Sequence, residues 1–441
     1  PMTDLARKLK DQSAVVAVAG LGTVGLPMAA AMVHGGFHVL GYDVDTEIVR
    51  GLNDGKVHRR YLEEDFAQKL VDSGRFGATD DPARLVEADA ILLCVPTPLD
   101  DNQEPDLSHV CEVTQRVAQI LRPGQLVVLE STTWPGSTRE VVLPILEKEG
   151  RKKGLSCGRD FFLAYAPERE DPGRKDITTA GIPRLVGGVD DASQEMAVCL
   201  YECVVDGVIP VSSAEVAEAS KLLENCYRAV NIAMVNELKV VFQAMGLDVR
   251  EILDGAATKP FGFQRFDPGP GLGGHCIPVD PFYLAWKAQQ VGVSADLVGL
   301  AGKINRAMPD YVIQRTIDAL REEGIDPEGA EVLVLGVGYK PEIDDVRESP
   351  SIVLMEGLAK EGVRVRYHDP YVPTVSLMLR GEPVVLESHP LDQVVVSKAD
   401  AALIATAHRS VDYDMLRCHA RLIVDTRGVM KKEGPARVVD A

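Results

Sequence analysis

AVVAVAGLGTVG, residues 14 to 25, runs from a short valine-rich apolar stretch through Gly20, Gly22 and Gly25 into the alanine-rich PMAAAMVHGG. This reads as a strand, a glycine turn and a helix. The next strand, HVLGYDVD, reaches Asp43 about twenty residues past the first glycine, where the dinucleotide fingerprint places its acid. Each part has a physical task. Glycines let a pyrophosphate approach the backbone at a helix N-terminus, and a carboxylate accepts hydrogen bonds from ribose hydroxyls. Asp43 would repel a 2′-phosphate, so NAD rather than NADP is the expected cofactor, held by Gly20, Gly22, Thr23, Val24, Gly25 and Asp43.

The sheet continues outward from this stretch. ADAILLCVPTP (88–98) and GQLVVLESTTWPG (124–136) are apolar strands that end in turns carrying Pro96, Thr97 and Thr132. Open sheets bind ligands at such carboxyl ends, although a hydroxyl there can equally satisfy turn backbone. FFLAYAPEREDPGRKD sets Glu168 just past another strand. The last third repeats the first. AEVLVLGVGYK echoes AVVAVAGLGTVG, VRVRYHDPY echoes HVLGYDVD, ADAALIATAH echoes ADAILLCVPTP, and ARLIVDTRG echoes GQLVVLEST. A second Rossmann-like domain is expected. Gly336 and Gly338 lack a third glycine in place, which favours a mononucleotide there, and Lys340 and Arg427 end two of its strands where they could meet a diphosphate.

Between the repeats, SSAEVAEASKLLENCYRAVNIAMVNELKVVFQAMG predicts one long helix, with Ser212 and Glu215 as a capping box and Gly246 as its stop. Apolar residues recur at Val216, Ala219, Leu223, Tyr227, Val230, Met234, Leu238 and Val241. The helix would span about 50 Å, enough to connect domains and build a dimer interface. Lys221 and Asn225 share a face with Glu218 just before them; they read either as a solvated polar face or as an amine placed to stabilise an oxyanion. GPGLGGHCIPVDP (269–281) follows, presenting Cys276 on a rigid loop with Asp280 four residues on. Cys276 is the candidate nucleophile and Asp280 a group to position water; the alternative is a small buried thiol. Glycines such as Gly273 let the loop approach a ligand closely. TKPFGFQRFDPGP adds Lys259, Arg265 and Phe266, a set that suits a phosphorylated sugar or a plain surface loop.

The 441 residues carry a formal charge of -19 with no long basic run, which argues against nucleic acid as a partner. No stretch reaches the apolar length of a membrane span, and PMTDLARKLKDQS lacks a signal-peptide core, so a cytoplasmic location is the expectation. Eight cysteines without CxxC pairs or a Cys/His rhythm fit reduced thiols rather than disulfides or a metal site. The expected fold class is α/β, two Rossmann-like doubly wound parallel-sheet domains joined by a long central helix. The boundaries are an NAD-binding domain at 1–210, a linker and dimerisation region at 211–320, and a second Rossmann-like domain at 321–441.

In order along the chain, GLGTVG, VPTP, STTWPG, APERE, the helix with Lys221 and Asn225, GGHCIPVDP and GYKPEIDDVRESPS resemble the UDP-glucose/GDP-mannose dehydrogenases over essentially the whole length. The resemblance implies NAD as cofactor, a nucleotide-sugar substrate, a homodimer, and oxidation of the sugar C6 alcohol to the acid in two hydride transfers. It further implies Cys276 as nucleophile, Lys221 as oxyanion stabiliser and Asp280 as partner of the hydrolytic water. Thr132, Glu168 and Asn225 would assist around that water and the sugar. PEREDPG, GIPRLVGG and PFYLAWKA are similar to the branch acting on UDP-N-acetylglucosamine and its relatives, and Pro172 stands where the UDP-glucose enzymes carry a second glutamate. UDP-glucose and dTDP-glucose remain alternatives. Outside this class stand a hydroxyacid dehydrogenase using Lys221 alone, which leaves Cys276 unexplained, and a catalytically silent binding protein. A cysteine hydrolase using His275 is disfavoured because adjacent side chains on an extended loop point apart.

Overall fold

The eight apolar runs of the first half form one sheet: β1 Val15–Ala19, β2 His38–Tyr42, β3 Phe76–Thr79, β4 Ala90–Leu93, β5 Gln125–Leu129, β6 Phe161–Tyr165, β7 Arg184–Gly188 and β8 Val208–Pro210. The order is β3-β2-β1-β4-β5-β6-β7-β8, parallel through β6, with β7 antiparallel to β6 and parallel to β8. The computed structural model describes residues 4–57, 62, 65–100, 102–169, 179–274 and 279–441. They fall into two compact units, Pro1–Glu224 with Phe282–Ser294, and Asn225–Pro281 with Ala295–Ala441. In the first unit β4, β5 and β6 are buried along their whole length, as strands covered on both faces must be. Val16, Val18, Leu92 and Val128 pack into one core with Leu26, Met28 and Met32 of the helix Gly25–His34.

The second unit holds the expected repeat. Its strands are β9 Glu331–Leu335, β10 Arg364–His368, β11 Thr374–Leu379, β12 Glu382–Glu387, β13 Ala401–Ile404, β14 Leu422–Asp425 and β15 Arg437–Asp440. The parallel order β10-β9-β13-β14-β15 reproduces β2-β1-β4-β5-β6 of the first sheet strand for strand. Side chains alternate between two cores: Val332, Val334 and Leu403 pack with Leu354 and Leu358, while Leu333, Leu335 and Ile404 pack with Val396 and Leu416. Both faces are covered, so the sheet is doubly wound. The hairpin β11–β12 was not foreshadowed by a usual turn dipeptide. Arg380 and Gly381, at φ 54 and 87, make its two-residue turn, with arginine where asparagine is usual.

The long helix runs Ala214–Ala244 and stops at Gly246, whose φ of 74 only glycine adopts freely. Its cap falls one residue later than expected: Ser213 Oγ, rather than Ser212, accepts from the Val216 N–H at 3.4 Å. The helix is also inverted relative to an ordinary amphipathic one. Leu223, Tyr227, Met234 and Val241 of the apolar stripe are exposed, whereas Glu218, Lys221, Asn225, Asn236 and Lys239 are buried. Lys221 and Asn225 are therefore not a solvated polar face. Among the described residues no helix is long and apolar enough to cross a membrane.

Candidate active site

In the first unit β1 ends in the glycine turn. Gly20 has φ 96, and a Cβ there would lie 2.5 Å from the Cys94 carbonyl oxygen; a Cβ on Gly25 would lie 1.7 Å from that of Gly20. These two glycines are required by packing. Gly22 is different, because a Cβ there meets nothing among the described residues within 4 Å. The helix Gly25–His34 that follows has no side-chain cap at Val24; its Leu26 N–H donates to the Gly22 carbonyl at 3.1 Å and Pro27 carries no N–H. Asp43, half-buried past the end of β2, accepts from the Leu21 N–H at 2.8 Å and the Asp45 N–H at 3.0 Å. An open glycine, an uncapped helix start and an acid tied to the turn suit a dinucleotide.

The carboxyl ends of β4, β5 and β6 carry the remaining polar groups of this unit. Thr97 is buried beside exposed Pro96, and the Tyr283 hydroxyl donates to the carbonyls of Thr97 and Pro98 at 3.0 and 3.3 Å. Half-buried Thr132 opens the turn that contains Trp134, whose ring sits 4.7 Å from Trp286 and 6.3 Å from Tyr283. That turn is pinned to the long helix. Glu218, wholly buried, accepts from the Gly136 N–H, the Ser137 hydroxyl, and both the N–H and hydroxyl of Thr138 at 2.5 to 2.9 Å. Burial outweighs these bonds and leaves its carboxyl above the usual range. Lys221 follows one turn later on the same buried face.

Glu168, 9% exposed, stands past β6, and the neighbouring Arg169 pairs with Glu224 at 2.6 Å. Beneath these ends Arg184 lies 2.5 Å from Glu130, whose other oxygen accepts from the Tyr201 hydroxyl. Burial opposes the Arg184 charge, but Glu130, Tyr201 and Glu168 together hold its pKa above the ordinary value.

In the second unit Asn225 and Asp280 are 8% and 2% exposed, and Asn225 Nδ2 donates to Asp280 Oδ2. Burial first, and the Asp280 charge second, push the Cys226 thiol up to about 12, so it is no nucleophile. His275 and Cys276 lie outside the described residues, as does Pro172. The loop leading to Cys276 is seated by its glycines. Gly269 donates to Asn236 at 2.9 Å and its carbonyl faces Lys239 Nζ at 3.5 Å, while Gly273 and Gly274 leave room for Tyr339 that a Cβ would take. Burial, then the charges of Arg250 and Arg427, lower Lys239 to about 7. Half-buried Lys340 lies 5.9 Å from the Tyr339 ring centroid. Arg427 Nε donates to the Ala405 carbonyl at 2.7 Å, and burial holds that guanidinium down to about 10. Arg265 is exposed and committed to Asp254 and Asp267, and Phe266 meets Tyr227 edge-on at 5.8 Å.

With this geometry in view, three family models match in succession, all of the UDP-glucose/GDP-mannose dehydrogenase family. The NAD binding domain matches residues 14–205, the central domain 215–307 and the UDP binding domain 333–432. The chain belongs to the UDP-glucose/GDP-mannose dehydrogenase family. It is similar to a UDP-N-acetyl-D-mannosamine dehydrogenase from Pyrococcus horikoshii, 35% identical over 423 residues that cover 95% of this chain and 96% of that protein. A UDP-N-acetyl-D-glucosamine 6-dehydrogenase from Pseudomonas aeruginosa is 34% identical over 396 residues, 89% of this chain and 90% of that one. Among solved structures, UDP-D-ManNAc dehydrogenase from Pyrococcus horikoshii aligns with a TM-score of 0.86 at 32% identity, covering 97% of this chain and 98% of that one. UDP-glucose dehydrogenase from Pyrobaculum islandicum gives 0.83 at 26%, covering 97% of each. The protein is thus an NAD-dependent nucleotide-sugar dehydrogenase that binds a UDP-sugar and NAD.

For such a dehydrogenase the expected residues sort cleanly by unit. Gly20, Gly22, Gly25 and Asp43 converge on one turn; Pro96, Thr97, Thr132 and Glu168 sit at strand ends of the same unit with buried Lys221. Asn225 and Asp280 are bonded in the other. Sequence reasoning missed Glu218 as the anchor of the Thr132 turn, although it had noted the residue, and it missed the Glu130–Arg184 pair. Both join residues far apart in the chain. A carboxylate buried on an otherwise small-residue helix face was the available signal.

Proposed function

We propose that the substrate is a UDP-linked N-acetylhexosamine, with UDP-N-acetylglucosamine first, and that its C6 alcohol is oxidised to the acid through a covalent bond to Cys276. The observation that carries the reading is the burial of Lys221 and Asn225 one turn apart, with Asn225 bonded to Asp280. A buried amine and a buried amide one turn apart on the long helix, the amide bonded to a buried carboxylate, cost stability and need a purpose. When bound, NAD accepts the hydride in each oxidation. Lys221 stabilises the oxygen that becomes anionic at C6, and Cys276 as thiolate adds to the aldehyde carbon to give a thiohemiacetal. Loss of the second hydride leaves a thioester. Asp280, held by Asn225, orients water toward that carbon with Thr132 and Glu168, and the thiolate departs. Per sugar, one water is consumed and two NADH and three protons are released.

Lys340 and Arg427 are the proposed contacts to the diphosphate, with Arg265, Phe266 and Gly273 toward the sugar and Thr23, Val24 and Pro96 toward the cofactor. PEREDPG, GIPRLVGG and PFYLAWKA support the N-acetylated sugar. The exposed apolar stripe of the inverted helix supports a homodimer in which a second copy covers Leu223, Tyr227 and Met234. Every cysteine among the described residues is a free thiol, which suits a cytoplasmic setting. The domain boundaries near 210 and 320 belong to the same proposal.

The test is NADH formed per sugar consumed across UDP-N-acetylglucosamine, UDP-N-acetylgalactosamine, UDP-N-acetylmannosamine, UDP-glucose, dTDP-glucose and GDP-mannose. Two NADH with UDP-N-acetylglucosamine is the expected result. Two NADH from UDP-glucose alone would overturn the substrate, and one NADH from any sugar would remove Cys276 from the mechanism. Cys276→Ala is expected to keep NAD binding and lose the acid. Leu223→Asp is expected to halve the mass seen in solution; an unchanged mass would move the interface elsewhere.

A further inference from the structure

Glu342 is a non-glycine residue at φ 67, in the left-handed region, directly after Lys340 and Pro341. Side chains avoid that conformation unless surrounding bonds enforce it, and such strain gathers where geometry is set for a ligand. Three bonds enforce it here. The Glu342 N–H donates to His408 Nδ1 at 3.1 Å, Oε1 accepts from the Arg409 N–H at 2.8 Å, and Oε2 accepts from the Tyr371 hydroxyl at 2.8 Å. His408 is fully buried. Because its Nδ1 accepts a backbone N–H, its proton sits on Nε2, which faces Asp369 Oδ2 at 3.2 Å. The same Asp369 oxygen accepts from the Val337 and Gly338 N–H groups at 2.7 and 3.1 Å. The chain of bonds thus runs from the glycine turn through Asp369 and His408 to Glu342, bracketing Lys340 at both ends.

We propose that Glu342 is a positioning residue for the substrate diphosphate, acting through Lys340 by way of the His408 and Tyr371 bonds. A lysine has a flexible stem, so its value as a phosphate contact depends on where its backbone is held. Both carboxylate oxygens are taken, by the Arg409 N–H and the Tyr371 hydroxyl. The inference rests on Lys340 meeting the diphosphate.

The test measures steady-state constants of the full-length enzyme. Glu342→Ala is expected to raise KM for the nucleotide sugar about tenfold, leaving kcat and the KM for NAD within about twofold, and Glu342→Gln, whose amide oxygen can accept the Arg409 N–H while its NH2 donates to the Tyr371 hydroxyl oxygen, to restore it. In a Lys340→Ala background Glu342→Ala is expected to add nothing. A full tenfold added there would overturn the proposal, as would an equal fall in kcat or a rise in the KM for NAD. If Lys340→Ala alone leaves KM unchanged, the diphosphate contact fails instead. Should Glu342→Ala not fold, Tyr371→Phe removes one bond and is expected to raise KM about threefold; no rise would overturn the proposal.

Discussion

Gly20 and Gly336 do the same work in the two units. Both have positive φ, 96 and 81, and a Cβ on either would strike the carbonyl of the neighbouring central strand's end, Cys94 at 2.5 Å or Thr406 at 2.3 Å. Each turn is then held by an acid just past the second strand: Asp43 accepts the Leu21 N–H and Asp369 the Val337 N–H. The turns part at the next glycine. A Cβ on Gly22 meets open space, whereas one on Gly338 would lie 2.8 Å from the Ile343 carbonyl. In the first unit a helix starts at Gly25; in the second the chain doubles over the turn, with Tyr339 N–H bonded to the Asp345 carbonyl, and the helix waits until Pro350. Asp369, 3% exposed, is used up by His408 and backbone, while Asp43 stays half-buried. One scaffold serves two ligands by filling, or leaving vacant, the space above a single residue.

The sharpest break of this comparison is Gly22→Val. It is expected to weaken NAD by about a hundredfold or more in calorimetry, with little change in melting temperature, because its side chain enters space the pyrophosphate needs. The reciprocal change, Gly338→Ala, is expected to leave NAD affinity alone and to destabilise the second unit by about 1–3 kcal/mol through overlap with the Ile343 carbonyl, read by chemical denaturation. If both variants lost NAD equally, the turns would not be distinct.

Asp43→Asn sharpens the comparison further, since removing the carboxylate is expected to bring NADP to within about tenfold of NAD in kcat/KM. The matching Asp369→Asn should not alter cofactor choice at all. Its effect belongs to stability. Burial raises the Asp369 pKa, but His408 and the Val337 and Tyr371 N–H groups outweigh it and hold the carboxyl below its ordinary value. A depressed carboxyl stabilises above its unfolded pKa of about 3.9 and loses that contribution as pH falls through the folded value. The melting difference between Asp369→Asn and the unsubstituted protein is therefore expected to be largest near neutrality and to shrink below about pH 4.

Much of this was legible in the chain. Four strand echoes, two glycine turns and two acids fixed the paired sheets, because continuous apolar runs and glycine spacing are local properties. The Ile343 lid over Gly338 was only half legible: a missing third glycine showed that the turn differs, without showing what covers it. Periodicity located both faces of the long helix but left open whether the Lys221–Asn225 face is solvated, since the apolar side of a helix ordinarily faces its own core. Here small residues such as Ala217, Ala229 and Ala233 line the buried face and leave room for Glu218, Lys221 and Asn225. Glu218 and Glu342 anchor loops 80 and 66 residues away, and no window along the chain spans such pairs.

Trp134 and Trp286 are the chain's two tryptophans, and both lie in the aromatic cluster beside the Thr132 turn of the NAD-binding unit. Intrinsic indole emission from this protein is consequently a signal from one unit alone. Reduced nicotinamide absorbs where indole emits, so NADH held by this unit should quench that emission by energy transfer, giving a label-free optical titration of cofactor in which events confined to the other unit are dark.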